Sequence, residues 1–150
     1  MRITLPESIW VEIQAAVKRC YPNEIGGVFT GRIDTANGIA TIEQMLKPSK
    51  ISSTPVFFKR FAKNINKLLL QLFDKSKGAS YYLGEWHSHP DGFPNPSQTD
   101  ITTMSKISNN ENISISTPLL LIVGYNKDVF NEQFFIFSNN RLINYERQQD

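Results

Sequence analysis

Cysteine and histidine are scarce in this chain: its 150 residues include one cysteine and two histidines. Cys20 alone has no partner for an internal disulfide, which suits a reducing compartment. Its place at the end of an apolar-periodic stretch fits packing better than catalysis. Charge of one sign is also lacking, since 16 basic against 14 acidic residues leave a formal net charge of +2. No basic run interleaves with aromatics, so a nucleic-acid partner is not implied. No apolar run reaches the roughly 20 residues that span a bilayer. The N-terminus shows no basic segment followed by an apolar one. A cytoplasmic protein that does not enter the membrane is therefore expected. Repeats, linkers and low-complexity segments are missing too, and residues 1–150 are expected to form one domain. With 40% hydrophobic residues, a chain of this length can bury a core.

Periodicity supplies the outline of that core. Ile9, Ile13, Ala16 and Val17 recur at helical spacing over residues 6–19, with Pro6 and Glu7 suited to a first turn. Residues 25–32 and 38–46 read as a hairpin about Asp34-Thr35-Ala36-Asn37-Gly38, and residues 47–53 as a loop. Phe61, Ile65, Leu68, Leu69, Leu72 and Phe73 form the stripe of a second helix over 57–75, expected to pack into the core. A strand is expected over 80–87, a third helix over 98–107, and strands over 118–125 and 130–138; the tail from Asn139 to Asp150 fits no single element. Helices alternating with strands in this order predict an α/β fold, a three-layer sandwich whose central mixed β-sheet is flanked by helices.

Both histidines fall in one motif, His87-Ser88-His89-Pro90, followed by Ser97-Gln98-Thr99-Asp100. In an extended segment, residues two apart share a face and stand about 6.5 to 7 Å apart along the strand. Both imidazoles can thus lean toward one metal ion, with Asp100 arriving as third ligand from the helix that follows. Three protein ligands leave a corner for water, whose pKa zinc lowers to about 7. That donor set points to hydrolysis. Ser97 and Asp100 also read as a helix start, with Ser97 as N-cap and the carboxylate near the positive end of the dipole. The two roles are compatible. Trp86, of opposite parity to the histidines, is expected to face the core, and Pro90 to end the strand.

The run from Glu24 to Asp100 resembles the JAMM (MPN-plus) zinc metalloproteases, whose pattern is a distant Glu, then His-x-His-Pro, then Ser-x-x-Asp seven residues from that Pro. Asn23-Glu24-Ile25-Gly26-Gly27-Val28-Phe29-Thr30-Gly31 is similar to the family's Glu and Gly-Gly strand, and Gly84-Glu85-Trp86-His87-Ser88-His89-Pro90 to the form found in bacterial members. The resemblance implies a fold akin to cytidine deaminases, one Zn2+ per chain held by His87, His89 and Asp100, Glu24 as general base and Ser97 as an oxyanion donor. Deaminase chemistry itself needs paired cysteines on a helix, which this chain lacks. The family's activity implies cleavage of an isopeptide bond that joins a ubiquitin-like modifier, or a similarly conjugated protein C-terminus, to its target. Bacterial members accompany conjugation-like operons, including antiphage defence systems. The modifier's tail is expected to lie extended along a strand edge near the site. Oligomeric state is left open.

Glu85 shares parity with the histidines and is a second acidic group for the metal face; it is expected to act on substrate binding, with Glu24 as the base. Two other classes stand beside the protease reading. One is a catalytically silent MPN scaffold, against which the complete ligand set speaks. The other is the RadC-type domain associated with DNA repair, which Pro96–Thr103 also resembles; that domain usually has Asn where this chain has Ser88.

Overall fold

The computed structural model describes residues 2–46, 52–53, 58–59, 62–109, 115, 117–145 and 147–148. Its elements in chain order are β1 (Arg2–Thr4), α1 (Glu7–Cys20), β2 (Gly26–Asp34), β3 (Ile39–Leu46), β4 (Ser52–Ser53), β5 (Phe58–Lys59), α2 (Ala62–Lys75), β6 (Tyr81–His89), α3 (Gln98–Ser108), β7 (Leu119–Asn126), β8 (Val129–Ser138), β9 (Arg141–Tyr145) and β10 (Arg147–Gln148). Eight of the strands form one mixed sheet in the order β10-β1-β3-β2-β6-β7-β8-β9. β6 lies inside it, antiparallel to β2 and parallel to β7. The strand expected over 80–87 therefore delivers the histidines from the middle of the sheet, His87 paired on both sides and His89 with β7.

Helices cover both faces. On β6, Trp86 and Ser88 point one way and Glu85, His87 and His89 the other, by strand alternation. Register carries the Trp86 face across to Tyr125 on β7 and Phe130 on β8. There α1 docks, with Trp10 edge-on to Phe130 at 6.0 Å and Tyr21 edge-on to Tyr125 at 5.2 Å. α3 lies over the histidine face, since its Asp100 reaches His87. This is the expected α/β arrangement with a helical layer on each side of the sheet. The core runs through it: Ile3, Ile13, Val28, Phe29, Leu83, Trp86, Leu119, Leu121, Ile122 and Phe134 are almost fully buried. Trp86 faces that core as its parity required, and Cys20, the last residue of α1, is partly buried against it.

Several local features depart from the expectation. The segment expected as helix over 57–75 starts its helix only at Ala62, and Phe58–Lys59 instead pairs with Ser52–Ser53. Residues 47–51 of the expected loop and Phe61 of the stripe lie outside the described residues, as do residues 149–150. Further along α2 the stripe is only shallowly covered: Leu69 packs against the core, whereas Leu68 and Phe73 are 36% and 48% exposed. Amphipathic spacing shows that a face is apolar, not how deeply a neighbour covers it. The tail forms β9 and β10, which pair at opposite edges: Tyr145 beside Phe134 on β8, and Arg147 beside Ile3 on β1. Two residues of chain bridge at most about 7 Å, so the sheet curls until its two edges meet. The hairpin β8–β9 turns through Asn139 and Asn140 with φ of 52° and 59°, the left-handed region that asparagine tolerates in two-residue turns.

Candidate functional site

The site forms where the C-terminal end of β6, the start of α3 and the segment before β2 converge. His87 and His89 project from one face of β6 with their Nε2 atoms 3.1 Å apart. Asp100 closes over them, its Oδ1 3.1 Å from His87 Nε2 and its Oδ2 3.7 Å from His89 Nε2. Glu24 enters from the loop between α1 and β2 and is buried; one ligand atom each from Glu24, His87 and His89 lie within 4.8 Å of one another. The four residues expected to hold and serve a metal are therefore brought together. Ser97 stands beside them as the N-cap of α3, where it and Asp100 form a capping box. Its Oγ accepts the Asp100 N–H at 3.2 Å, and its own N–H donates to Asp100 Oδ2 at 2.7 Å. The helix start thus holds the carboxylate in place, joining the two roles that the Ser-x-x-Asp spacing suggested.

The close approach of β2 and β6 at this point depends on Gly26. A Cβ there would run into the Trp86 carbonyl oxygen and stand 3.0 Å from His87 Cβ. Glycine alone permits that contact. Glu85 shares the histidine face, but its register partners are Val28 on β2 and Leu120 on β7, both buried, and it is only 6% exposed. It is buried as deeply as Glu24, between apolar neighbours of the sheet.

A metal-binding imidazole is expected to donate its second N–H to a backbone carbonyl or a carboxylate, and the fold names that partner for His89. His89 Nδ1 lies 3.0 Å from the Phe93 carbonyl oxygen. A carbonyl only accepts, so Nδ1 carries the proton and Nε2 keeps its lone pair for the site. The loop that supplies this oxygen turns tightly: Gly92 donates its N–H to His89 O at 3.2 Å and has φ of 88°. Asp91 Oδ1 accepts the Phe93 N–H at 2.8 Å, and Asn131 Nδ2 donates to Gly92 O at 3.2 Å. Below the loop, Gly124 leaves room that a Cβ would fill against the Gly92 carbonyl. The turn itself was legible, because Pro90-Asp91-Gly92 is a turn sequence. Asn131 and Gly124 carried no signal, since only the fold brings them under the loop.

Electrostatics separate the two carboxyl groups. Burial strips water from Glu24 and, with Asp100 and Asp91 adding repulsion against the pull of His87, pushes its carboxyl up from 4.5 to about 7. Burial also works against the charge of Asp100. The His87 hydrogen bond and charge, with the Ser97 donors, outweigh it and hold Asp100 down at about 2. His87 loses water as well, yet Asp100, Glu24 and Glu85 raise its pKa, while burial and the neighbouring His87 lower that of His89. A metal ligand must be deprotonated, and Asp100 is. Glu24, which exchanges a proton near neutrality, is suited to proton transfer.

The donor set fits a tetrahedral ion. Ligand atoms that each stand about 2.0 to 2.1 Å from zinc are separated by roughly 3.3 Å in tetrahedral geometry. The two Nε2 atoms are 3.1 Å apart, and the carboxylate approaches them with a different oxygen each, Oδ1 at 3.1 Å from His87 and Oδ2 at 3.7 Å from His89, all near that value. Two imidazoles and a carboxylate on one point are an open-site donor set, and the tautomer of His89 presents the correct nitrogen.

Comparison with known proteins bears on the fold and the family. A protein from Desulfitobacterium hafniense, solved in solution, superposes with a TM-score of 0.69 at 21% identity over 97% of this chain and 91% of its own, and so shares the fold. A protein from Enterobacter hormaechei named CD-NTase/cGAS isopeptidase is 31% identical over 116 residues, 75% of this chain and 63% of that relative, so the chain spans under two thirds of its length. Proteins of the same name from Pseudomonas aeruginosa and Vibrio cholerae are 29% identical over 121 residues, 80% of this chain and 73% of theirs, and 47% identical over 54 residues, 36% of this chain and 32% of theirs. The sequence profile of prokaryotic homologs of the JAB domain matches residues 6–136, which include Glu24, His87, His89, Ser97 and Asp100. The chain therefore belongs to the prokaryotic JAB-domain family.

Proposed function

We propose that this protein is a zinc-dependent isopeptidase, a hydrolase that detaches a conjugated protein C-terminus from its target. The observation that carries the reading is the convergence of His87, His89 and Asp100 within 3.1 to 3.7 Å, with buried Glu24 alongside. His87 and His89 through Nε2, and Asp100 through its carboxylate, would hold the ion. Zinc, when bound, supplies a Lewis acid that activates water and polarises a carbonyl. Glu24 takes the proton of the attacking water and returns it to the departing amine, a task matched to a carboxyl poised near 7. Ser97 uses its oxygen to cap α3, and its hydroxyl proton is the one it offers to the developing oxyanion. β6 is paired with β2 from Tyr81 to His87 and with β7 from Gly84 to His89. An extended substrate tail must therefore line up along another edge.

The relatives' name makes a conjugated CD-NTase or cGAS-like protein the first substrate to try, with a ubiquitin-like modifier as the general class. Cytoplasmic action within an antiphage conjugation system, which the family resemblance implies, is part of the same proposal. Among the described residues no helix is long and apolar enough to cross a membrane. Elemental analysis of the purified protein tests the proposal. About one zinc per chain is expected, with cleavage of an isopeptide-linked conjugate lost on chelation and restored by zinc. Cleavage that survives complete metal removal would overturn it.

A further inference from the structure

Ser88 stands between the two histidines, yet its side chain points to the opposite face of β6, away from the donor set. It is 2% exposed. Its Oγ accepts the backbone N–H of Ile25 at 3.0 Å, and its own N–H donates to the Ile25 carbonyl oxygen at 2.8 Å. Both backbone groups of Ile25 are thus tied to one residue. The regular β2–β6 ladder ends at the Gly26–His87 pair, so Ser88 extends it one step, with a hydroxyl serving as the second acceptor. The step matters because of what flanks it. Gly26 has to be glycine to approach Trp86 and His87, and glycine is the most permissive backbone. Glu24 lies just before Ile25 and belongs to no strand. Untied, the Glu24-Ile25 segment would pivot about Gly26.

We infer that Ser88 is a positioning residue: by clamping Ile25 it sets the distance between Glu24, on one strand's approach, and His87 and His89, on another. The central residue of the His-Ser-His run is then a registration device, and the strand's alternation lets one three-residue segment serve the metal on one face and the base on the other. The inference rests on the reading of Glu24 as the base and of the histidines as ligands.

Two readouts test it without turnover: amide hydrogen exchange at Ile25, and the visible absorption of protein loaded with cobalt(II). Ser88→Ala is expected to speed Ile25 exchange by about tenfold or more, as loss of one hydrogen bond implies, while Leu121 on β7 keeps its protection. It should still bind one cobalt, with absorption bands displaced in the same direction as in Glu24→Gln. Ser88→Thr, which keeps the hydroxyl, should restore both readouts. If the Ala variant does not fold, Ser88→Thr against Ser88→Val gives the same comparison at constant shape. Unchanged Ile25 exchange or an unchanged cobalt spectrum in the hydroxyl-free variant overturns the inference. So does loss of cobalt binding, which would assign Ser88 to the ligands instead of the base. A wild-type protein that takes up no cobalt defeats the metal reading separately, and Ile25 exchange then decides by itself whether Ser88 holds the segment.

Discussion

Glu24→Gln removes one ability, that of taking a proton, while keeping the shape of the side chain. In the structure Glu24 is 7% exposed and within 4.8 Å of both histidine donors. General base catalysis contributes about 10² to 10⁴ in rate, so cleavage of an isopeptide-linked conjugate should fall by at least about 10²-fold. Zinc content should stay near one per chain, because His87, His89 and Asp100 remain. The same variant has a signature in the metal-free protein. The folded pKa of Glu24 is raised from 4.5 to about 7, so its contribution to stability is fully present below 4.5 and is lost as pH rises through 7. Relative to Glu24→Gln, the metal-free wild type should therefore lose stability across that window, by about 3 kcal/mol at most. Glu85→Gln is the control. Glu85 lies between buried Val28 and Leu120, so its substitution should alter melting temperature more than turnover. Turnover, zinc content and thermal denaturation against pH on both variants decide the matter. Retained turnover in Glu24→Gln, or loss of turnover confined to Glu85→Gln, would refute the assignment of the base; loss of zinc in Glu24→Gln would make Glu24 a ligand.

Further outcomes follow from the same geometry. Alanine at His87, His89 or Asp100 should abolish zinc binding and cleavage while circular dichroism stays native, because the core is built from other residues; full zinc occupancy in the double histidine variant would exclude this donor set. Ser97→Ala should lower turnover by about 10²-fold and cost about 1 kcal/mol in denaturant unfolding through loss of the capping box; a stability loss with unchanged turnover would leave capping as its only role. Gly26→Ala forces a methyl against the Trp86 carbonyl and should destabilise the protein by about 1 to 3 kcal/mol while disturbing the register of Glu24, read as reduced turnover beyond the stability loss; a variant with wild-type stability would show that β2 and β6 do not meet as described.

The features legible in the sequence are local ones. Alternation placed His87 and His89 on one face of a strand and Trp86 on the other, because strand geometry has a period of two whatever surrounds it. Ser97 and Asp100 marked a helix start through the capping box, which involves only neighbouring residues. The pairing of these with Glu24 was legible through a resemblance, since nothing local joins Glu24 to His87 across 63 positions of chain. Tertiary structure alone decided the rest. The Phe93 carbonyl that sets the His89 tautomer, the burial of Glu85 and the tie from Ser88 to Ile25 all depend on which segments meet. So do the shallow cover over Leu68 and Phe73 of α2 and the meeting of the sheet's edges through Tyr145 and Arg147. Periodicity reports which side of an element is apolar or polar, whereas depth of burial and partner identity are properties of the neighbours that the fold brings against it.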